Sequence, residues 1–496
     1  MSSSNPTNMV KTKDGLYETT ADLSASGLYN HDIGPTKIAQ RTWSTYNIAA
    51  LWIGMSVCIP TYMLASGLVA GGMSAWQAIF TVMLGNLIVL IPMVLNAVPG
   101  TKFGIPFPVL VRSSFGVLGS NVPALLRAGV ACGWFGIQTW IGGSALNAMM
   151  LALFSGWPSE GIGKWIAFFV FWALNVWIIV RGMETLKRFE SWAAPVLIIF
   201  GIVMLIWAMN KAGGLGPIMS EPSKFATFGE FWKFFIPGLT GMVAFWATLS
   251  LNIPDFSRFA RDQKAQIYGQ VLGLPTTMTF YAFLGVAITS ATVIIYGEAL
   301  WDPVDVLAKF ENPLPIIFGM FWIAVATLST NIAANVVSPA NDFQNLWPKK
   351  INFMIGGLIT AVIGIAIMPW KLLSDPRIYI FDWLGTYGGL LGPVAGIMIC
   401  DFYLIRKRKL NVPDLYVRGG AYEYRSGFNW KGIGAFVVAA GVTLIGKWVP
   451  AVGWLADYSW FIGFALGFIF YWALMRGTKE FDLSAVPEMD AVPETD

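Results

Sequence analysis

The sequence predicts an all-α integral membrane protein with twelve transmembrane helices, and three observations lead there. Apolar residues make up 56% of the 496 and charged residues only 12%, about half the roughly 25% charge typical of soluble domains. The apolar residues gather in twelve largely uncharged blocks, near 45–70, 75–98, 122–153, 164–181, 191–209, 232–253, 270–296, 314–338, 351–369, 378–404, 432–449 and 457–475. Each is close to the ~20 residues that cross a bilayer. With the amino terminus placed inside, 24 of the 32 lysines and arginines fall on inner segments, which fits the positive-inside rule for an even number of spans. Both termini are therefore expected in the cytoplasm of a multi-pass protein of the cell's inner (plasma) membrane.

Residues 1–41 read as a polar cytoplasmic tail, 42–476 as the twelve-helix domain and 477–496 as an acidic tail. The amino-terminal stretch lacks the charged start and short apolar core of a cleaved signal peptide, so the first span is expected to act as its own insertion signal. That span runs Gly54, Met55, Ser56, Val57, Cys58, Ile59, Pro60, Thr61. Proline removes a backbone hydrogen bond there and frees a carbonyl near Ser56.

The third span carries Trp134 and Gln138 one turn apart on one face. An indole beside a primary amide suits a flat ring edged with amide donors and acceptors, because stacking holds the plane and the amide reads the edge. The alternative is that Trp134 packs and Gln138 glues helices together. The sixth span holds Gly238, Gly241, Trp246, Thr248 and Ser250, with Asn252 and Pro254 at its inner end. Trp246 offers a second aromatic wall. Interrupted helices five spans apart are the sequence pointer to an inverted-repeat carrier with its site at the midplane.

The eighth span is rich in polar side chains, with Thr327, Ser329, Thr330, Asn331, Asn335 and Ser338 before Pro339 and no formal charge. Unpaired amides and hydroxyls are costly in hydrocarbon, so this helix must face protein, a cavity or a ligand. Ala326, Ser329 and Thr330 share a face at i, i+3 and i+4. Hydroxyls and a backbone carbonyl are hard oxygen ligands suited to an alkali cation, completed by carbonyls from the broken first span. The competing reading has both hydroxyls bonding their own helix at i−4. Asn335 lies about 140° around the helix from Thr330, toward a different cleft.

Cys58, Cys132 and Cys400 all sit in apolar spans, and His31 is the only histidine, so neither a disulfide framework nor a metal cluster is suggested. Triad, nucleotide-loop and zinc chemistries lack their residues, and no enzyme is expected. Asp255 and Asp401 stand at inner helix ends and read as anchors. The net charge of +4 reports topology rather than nucleic-acid binding. No cofactor is expected beyond a coupling ion; the expected partners are the bilayer, that cation and a small neutral solute.

Several stretches resemble the nucleobase-cation-symport-1 family: Gly100–Gly116 (GTKFGIPFPVLVRSSFG), Trp134–Gln138, Gly182–Glu190 (GMETLKRFE), Trp246–Phe259 (WATLSLNIPDFSRF), Ser329–Ala340 (STNIAANVVSPA) and Gly392–Tyr403 (GPVAGIMICDFY). The likeness covers about Thr36 to Tyr471 and is nearest to bacterial allantoin, hydantoin and uracil permeases. It implies a LeuT-like fold, with spans one to five and six to ten as inverted repeats and two further helices outside them. It further implies symport of a neutral, planar, nucleobase-related ring amide. Trp134 and Trp246 would stack on the ring, while Gln138 and Asn335 hydrogen-bond it, with Asn331 in the same group. Backbone oxygens of Gly54, Val57 and Ala326 with the hydroxyls of Ser329 and Thr330 match the family's sodium site. Other members use protons and keep similar hydroxyls; the lack of a buried carboxylate favours sodium. Cys58 departs from the Gln of hydantoin-type members, and Phe245 from a position where Gly occurs, which implies a narrower pocket. A proton-coupled purine or cytosine permease is the rival, as is an amino-acid or quaternary-amine carrier of the same fold, which would need a charge partner.

Overall fold

A computed structural model describes residues 8–12, 14–158, 161–181 and 183–478. The acidic tail beyond 478 and Gly182 of the GMETLKRFE stretch lie outside the described residues, as do the side chains of 183–193. A short antiparallel hairpin, β1 (Met9–Lys11) and β2 (Tyr17–Thr19), opens the chain. Then follow α1 (Thr45–Ser56), α2 (Ile59–Ala70), α3 (Ala75–Phe103), α4 (Asn121–Leu153), α5 (Ile162–Arg181), α6 (Met183–Ala212), α7 (Phe228–Phe245) and α8 (Ala247–Asn252). The second half holds α9 (Gln263–Tyr296), α10 (Pro303–Ala308), α11 (Pro313–Asn335), α12 (Val337–Leu346), α13 (Phe353–Ala366), α14 (Gly385–Cys400), α15 (Trp430–Ile445) and α16 (Ser459–Met475).

All twelve apolar blocks fall on helix. Among the described residues, six helical stretches are long and apolar enough to cross a membrane, seven if the bent pair α1 and α2 counts as one span. α13, α15 and α16 are shorter and equally apolar. Single turns of π-helix, Ile378–Leu384 and Asp401–Ile405, flank α14. α14 lies tightly on α16: a Cβ at Gly396 would meet the Phe464 carbonyl at 2.2 Å and one at Gly467 the Pro393 carbonyl at 2.5 Å. Small residues allow this approach where burial of apolar area cannot drive association.

Two features extend the sequence picture. The eighth block does not stop at Pro339 but bends at Val336 (φ −114°, ψ −45°) and continues as α12. Pro339 withholds only the N–H that would reach Asn335, while the Ala340 N–H still bonds the Val336 carbonyl at 3.0 Å. Residues 8–12 and 14–41, expected as a tail, pack on the rest of the chain. The buried Arg41 donates to the carbonyls of Tyr17 (2.7 Å), Thr36 (2.9 Å) and Thr101 (3.1 Å), and the Tyr416 hydroxyl donates to Ile33 O at 2.7 Å.

Candidate functional site

The site starts at the break between α1 and α2, whose axes differ by 58°. In an unbroken helix the Cys58 N–H would bond Gly54 and the Thr61 N–H would bond Val57. Here Cys58 N bonds Ser56 O at 3.1 Å, and Thr61 N and Tyr62 N both turn to Cys58 O at 3.2 and 3.3 Å. The carbonyls of Gly54 and Val57 thus lose their helical partners. The Tyr379 hydroxyl pins the break from the π-helical turn, donating to Pro60 O at 3.2 Å.

α11 packs against α1 and brings the other oxygen donors. Ala326, Ser329 and Thr330 are all buried. Thr139 and Thr360 bond their own helices at i−4 (2.7 and 2.9 Å), the habit of hydroxyls in apolar helices. Among the described residues the Ser329 and Thr330 hydroxyls make no such bond. Two free buried hydroxyls beside a helix break with two freed carbonyls form a donor set of hard oxygens that fits an alkali cation.

The aromatic residues come together as one edge-to-face chain. The Trp134 ring lies 5.0 Å from Phe245 at 77° and 6.0 Å from Tyr379 at 88°. Phe245 meets Trp246 at 5.0 Å and 90°, and Trp246 meets Trp52 at 5.2 Å and 85°. Trp246 occupies the break between α7 and α8, with φ −100° and ψ 8°. Phe245 therefore stands between the two indoles and narrows the space between them. Trp134 is buried, with only 6% of its surface exposed.

The polar edge is incomplete. Gln138 is buried, and its Oε1 has no donor; the Trp246 Nε1 and Ser56 Oγ have no partner either. Asn335 Nδ2 donates to Asn331 Oδ1 at 3.1 Å. Pro339 denies the Asn335 carbonyl its helical N–H, so this residue presents a second free acceptor. Buried polar groups left unpaired are destabilising. Similar unpaired atoms occur elsewhere, at Gln270, Ser290 and Trp322 for example, but here Gln138 Oε1 and Trp246 Nε1 accompany a chain of rings, an arrangement that can take a flat ligand with N–H and carbonyl groups.

Two expected members lie differently. Asn331 turns to the scaffold, donating to Phe135 O (3.2 Å), Thr139 Oγ1 (3.2 Å) and Asn175 Oδ1 (3.1 Å). It holds Asn335 in place. Cys58 Sγ is turned to Thr61 Oγ1 at 3.3 Å. Asn175 and Tyr379 escaped the sequence reading, although Asn175 is the one amide in α5.

The expectation of no buried carboxylate is corrected. Because α12 continues the eighth span, Asp342 is enclosed, 3.4 Å from the equally buried Arg127. Asp255 is buried too, accepting from Phe107 N at 2.9 Å and Asn252 Nδ2 at 3.3 Å. Asp401 binds Ser113 Oγ, Tyr471 OH (both 2.7 Å) and Arg406 Nε (2.8 Å). Asp255 and Asp401 stand at short terminal turns, whereas Asp342 lies inside α12. The absence of a buried carboxylate therefore no longer argues for sodium, and the case for that ion rests on the oxygen donors.

Next to these groups, on the side of the amino-terminal segment, lies a cavity of about 970 Å³ whose walls include Trp43, Met55, Asp255, Phe259, Val337 and Asn341.

A sequence model of the family described as permeases for cytosine/purines, uracil, thiamine and allantoin matches residues 35–463. The chain belongs to this family. Within it, the permease is similar to the allantoin permease of Bacillus subtilis (strain 168), 46% identical over 461 residues that cover 90% of this chain and 93% of that one. Its fold is similar to the inward-facing conformation of Mhp1, with 26% identity, a TM-score of 0.78 and coverage of 91% and 94% of the two chains. It is also similar to the closed conformation of Mhp1 with bromovinylhydantoin bound (27%, 0.77, 92% and 97%). The protein is therefore an all-α membrane transporter for nucleobase-related solutes, and not an enzyme.

Proposed function

We propose that this permease imports a neutral planar ring amide, allantoin or a close relative such as hydantoin or uracil, by sodium symport and alternating access. Twelve spans carry the chain through the cell's inner membrane with both ends cytoplasmic, ten of them as a five-plus-five inverted repeat. The observation that carries the reading is Gln138, a buried carboxamide whose oxygen lacks a donor one turn from the Trp134 indole. A ring N–H supplies that donor, and the Asn335 amide and Trp246 N–H take up ring carbonyls. Stacking on indoles favours a flat ring over an aliphatic solute.

The side chains in ring contact with Trp134 and Trp246, namely Trp52, Phe245 and Tyr379, carry no formal charge, which disfavours amino acids and quaternary amines. For the ion, the free hydroxyls of Ser329 and Thr330, with the carbonyls of Gly54, Val57 and Ala326, support sodium. Alternating access follows from placing the site beside two helix breaks, α1–α2 and α7–α8, where half-helices can tilt without losing their own hydrogen bonds.

Exchange of labelled allantoin, hydantoin and uracil in proteoliposomes, under sodium or pH gradients, tests solute and ion together. Saturable counterflow of a ring amide driven by sodium is expected. Uptake that ignores sodium and follows pH sinks the ion assignment; absence of any ring-amide exchange sinks the solute.

A further inference from the structure

The large cavity on the amino-terminal side is more than an empty passage. Ala333, Val337 and Asn341 recur every four residues along α11 and α12 and all line it, so this wall continues the helix that carries Asn335. Asn341 is only 5% exposed, yet its carboxamide makes no hydrogen bond among the described residues. Arg258 also lines the cavity, and two of its nitrogens are spent on the segment that crosses the mouth: Nη1 to Gly34 O at 3.4 Å and Nη2 to Asp32 O at 3.0 Å. Its Nε–H is buried without an acceptor. The guanidinium lies 4.8 Å from the Phe259 ring, which is itself 5.5 Å from Trp43.

Asp255 stands on the same wall and offsets the charge of Arg258. Its carboxylate, holding Phe107 and Asn252, keeps further lone pairs. The cavity thus offers a free donor, a free amide, an acceptor and two aromatic faces, with no net charge. Water fills such a space but does not exploit the rings. We propose that this cavity is a second, weaker station for the transported solute, a neutral ring with adjacent carbonyl and N–H groups, occupied on its way to the cytoplasm. The proposal rests on the ring-amide reading above. Arg258 Nε–H receives the ring carbonyl, Asn341 bonds the neighbouring edge and Phe259 supports the plane.

The station faces one side of the membrane only, so its loss must be felt on one side only. The test uses the full-length permease in proteoliposomes of defined orientation, with labelled allantoin counterflow measured from each face. Asn341→Leu is expected to raise the half-saturation concentration on the cytoplasmic face roughly five- to tenfold, the effect of about one hydrogen bond. The outer half-saturation and the sodium requirement stay as in the wild type. A merely structural lesion lowers exchange from both faces, whereas loss of the station shifts half-saturation on the cytoplasmic face alone.

Phe259→Leu keeps bulk while removing the aromatic face, and gives the same one-sided shift should Asn341→Leu fail to insert. Wild-type exchange with unchanged inner half-saturation in both variants overturns the station while leaving the ring-amide reading intact. Equal shifts on both faces also overturn it. A wild type that exchanges no ring amide removes both.

Discussion

Gln138 exposes a conflict between stability and function at the level of one side chain. Its unpaired oxygen is a burden in the solute-free protein, and on the proposed reading the ligand supplies the missing partner. Gln138→Leu should therefore leave the melting temperature unchanged or raise it, while weakening ring-amide binding by about 1–2 kcal/mol, roughly tenfold. Thermal melting alongside equilibrium binding checks this; a variant that loses both equally makes Gln138 ordinary interhelical glue. Thr330→Ala follows the same logic for the ion, raising the sodium needed for half-maximal uptake several-fold without loss of stability, since the hydroxyl holds nothing inside the protein. Asn331 is the counterexample. The cost of amides in lipid flagged it, but helical spacing alone did not say that it turns to Phe135, Thr139 and Asn175. Composition marks a helix as functional; only packing of α4 and α5 decides which of its faces meets the ligand. For the same reason Tyr379 was invisible, because its role depends on a π-helical turn meeting Pro60.

At the scale of elements, the breaks were legible where a residue lacks an N–H and less so elsewhere. Pro60 announced the α1–α2 break, whereas the α7–α8 break falls at Trp246, ahead of the Asn252 and Pro254 that sequence singled out. Pro339 misled in the other direction, since the helix resumes after it and carries Asp342 inside. Pro339→Ala restores an N–H for the Asn335 carbonyl; it should raise thermal stability and lower the maximal transport rate, and a faster carrier would contradict a role for that bend. The short helix α10 should respond to pH. Asp302 caps it, accepting from Val304 N at 2.9 Å, and burial, reinforced by Asp305, pushes its carboxyl up to about 7 against the pull of Lys164. A carboxyl raised in the folded state binds more protons there than when released, so docking of α10 is fully present near pH 4 and weakens as pH rises through 7. Amide exchange in 303–308, corrected for its intrinsic pH dependence, should accelerate across that window and lose the trend in Asp302→Asn.

For the molecule as a whole, the proposed sodium donors and ring site share the α1–α2 break and α11, and this sharing predicts coupling between the two ligands. An ion that binds the freed carbonyls of Gly54 and Val57 fixes the angle between α1 and α2. That angle in turn sets where Met55 and the rest of α1 stand, and Met55 lines the large cavity on the amino-terminal side. Sodium should thus favour the arrangement in which this cavity is shut and the ring site faces outward, raising ring affinity by a coupling of typically 1–3 kcal/mol. Linkage obliges the ring to tighten sodium by the same factor. The three cysteines are buried, so a cysteine introduced at Val337 reports on the cavity with little background. Its alkylation should slow when sodium and allantoin are added together, more than the product of their separate effects. Titrations in which each ligand ignores the other, with alkylation unchanged, would show that α1 does not transmit the ion's presence and that the two sites work independently.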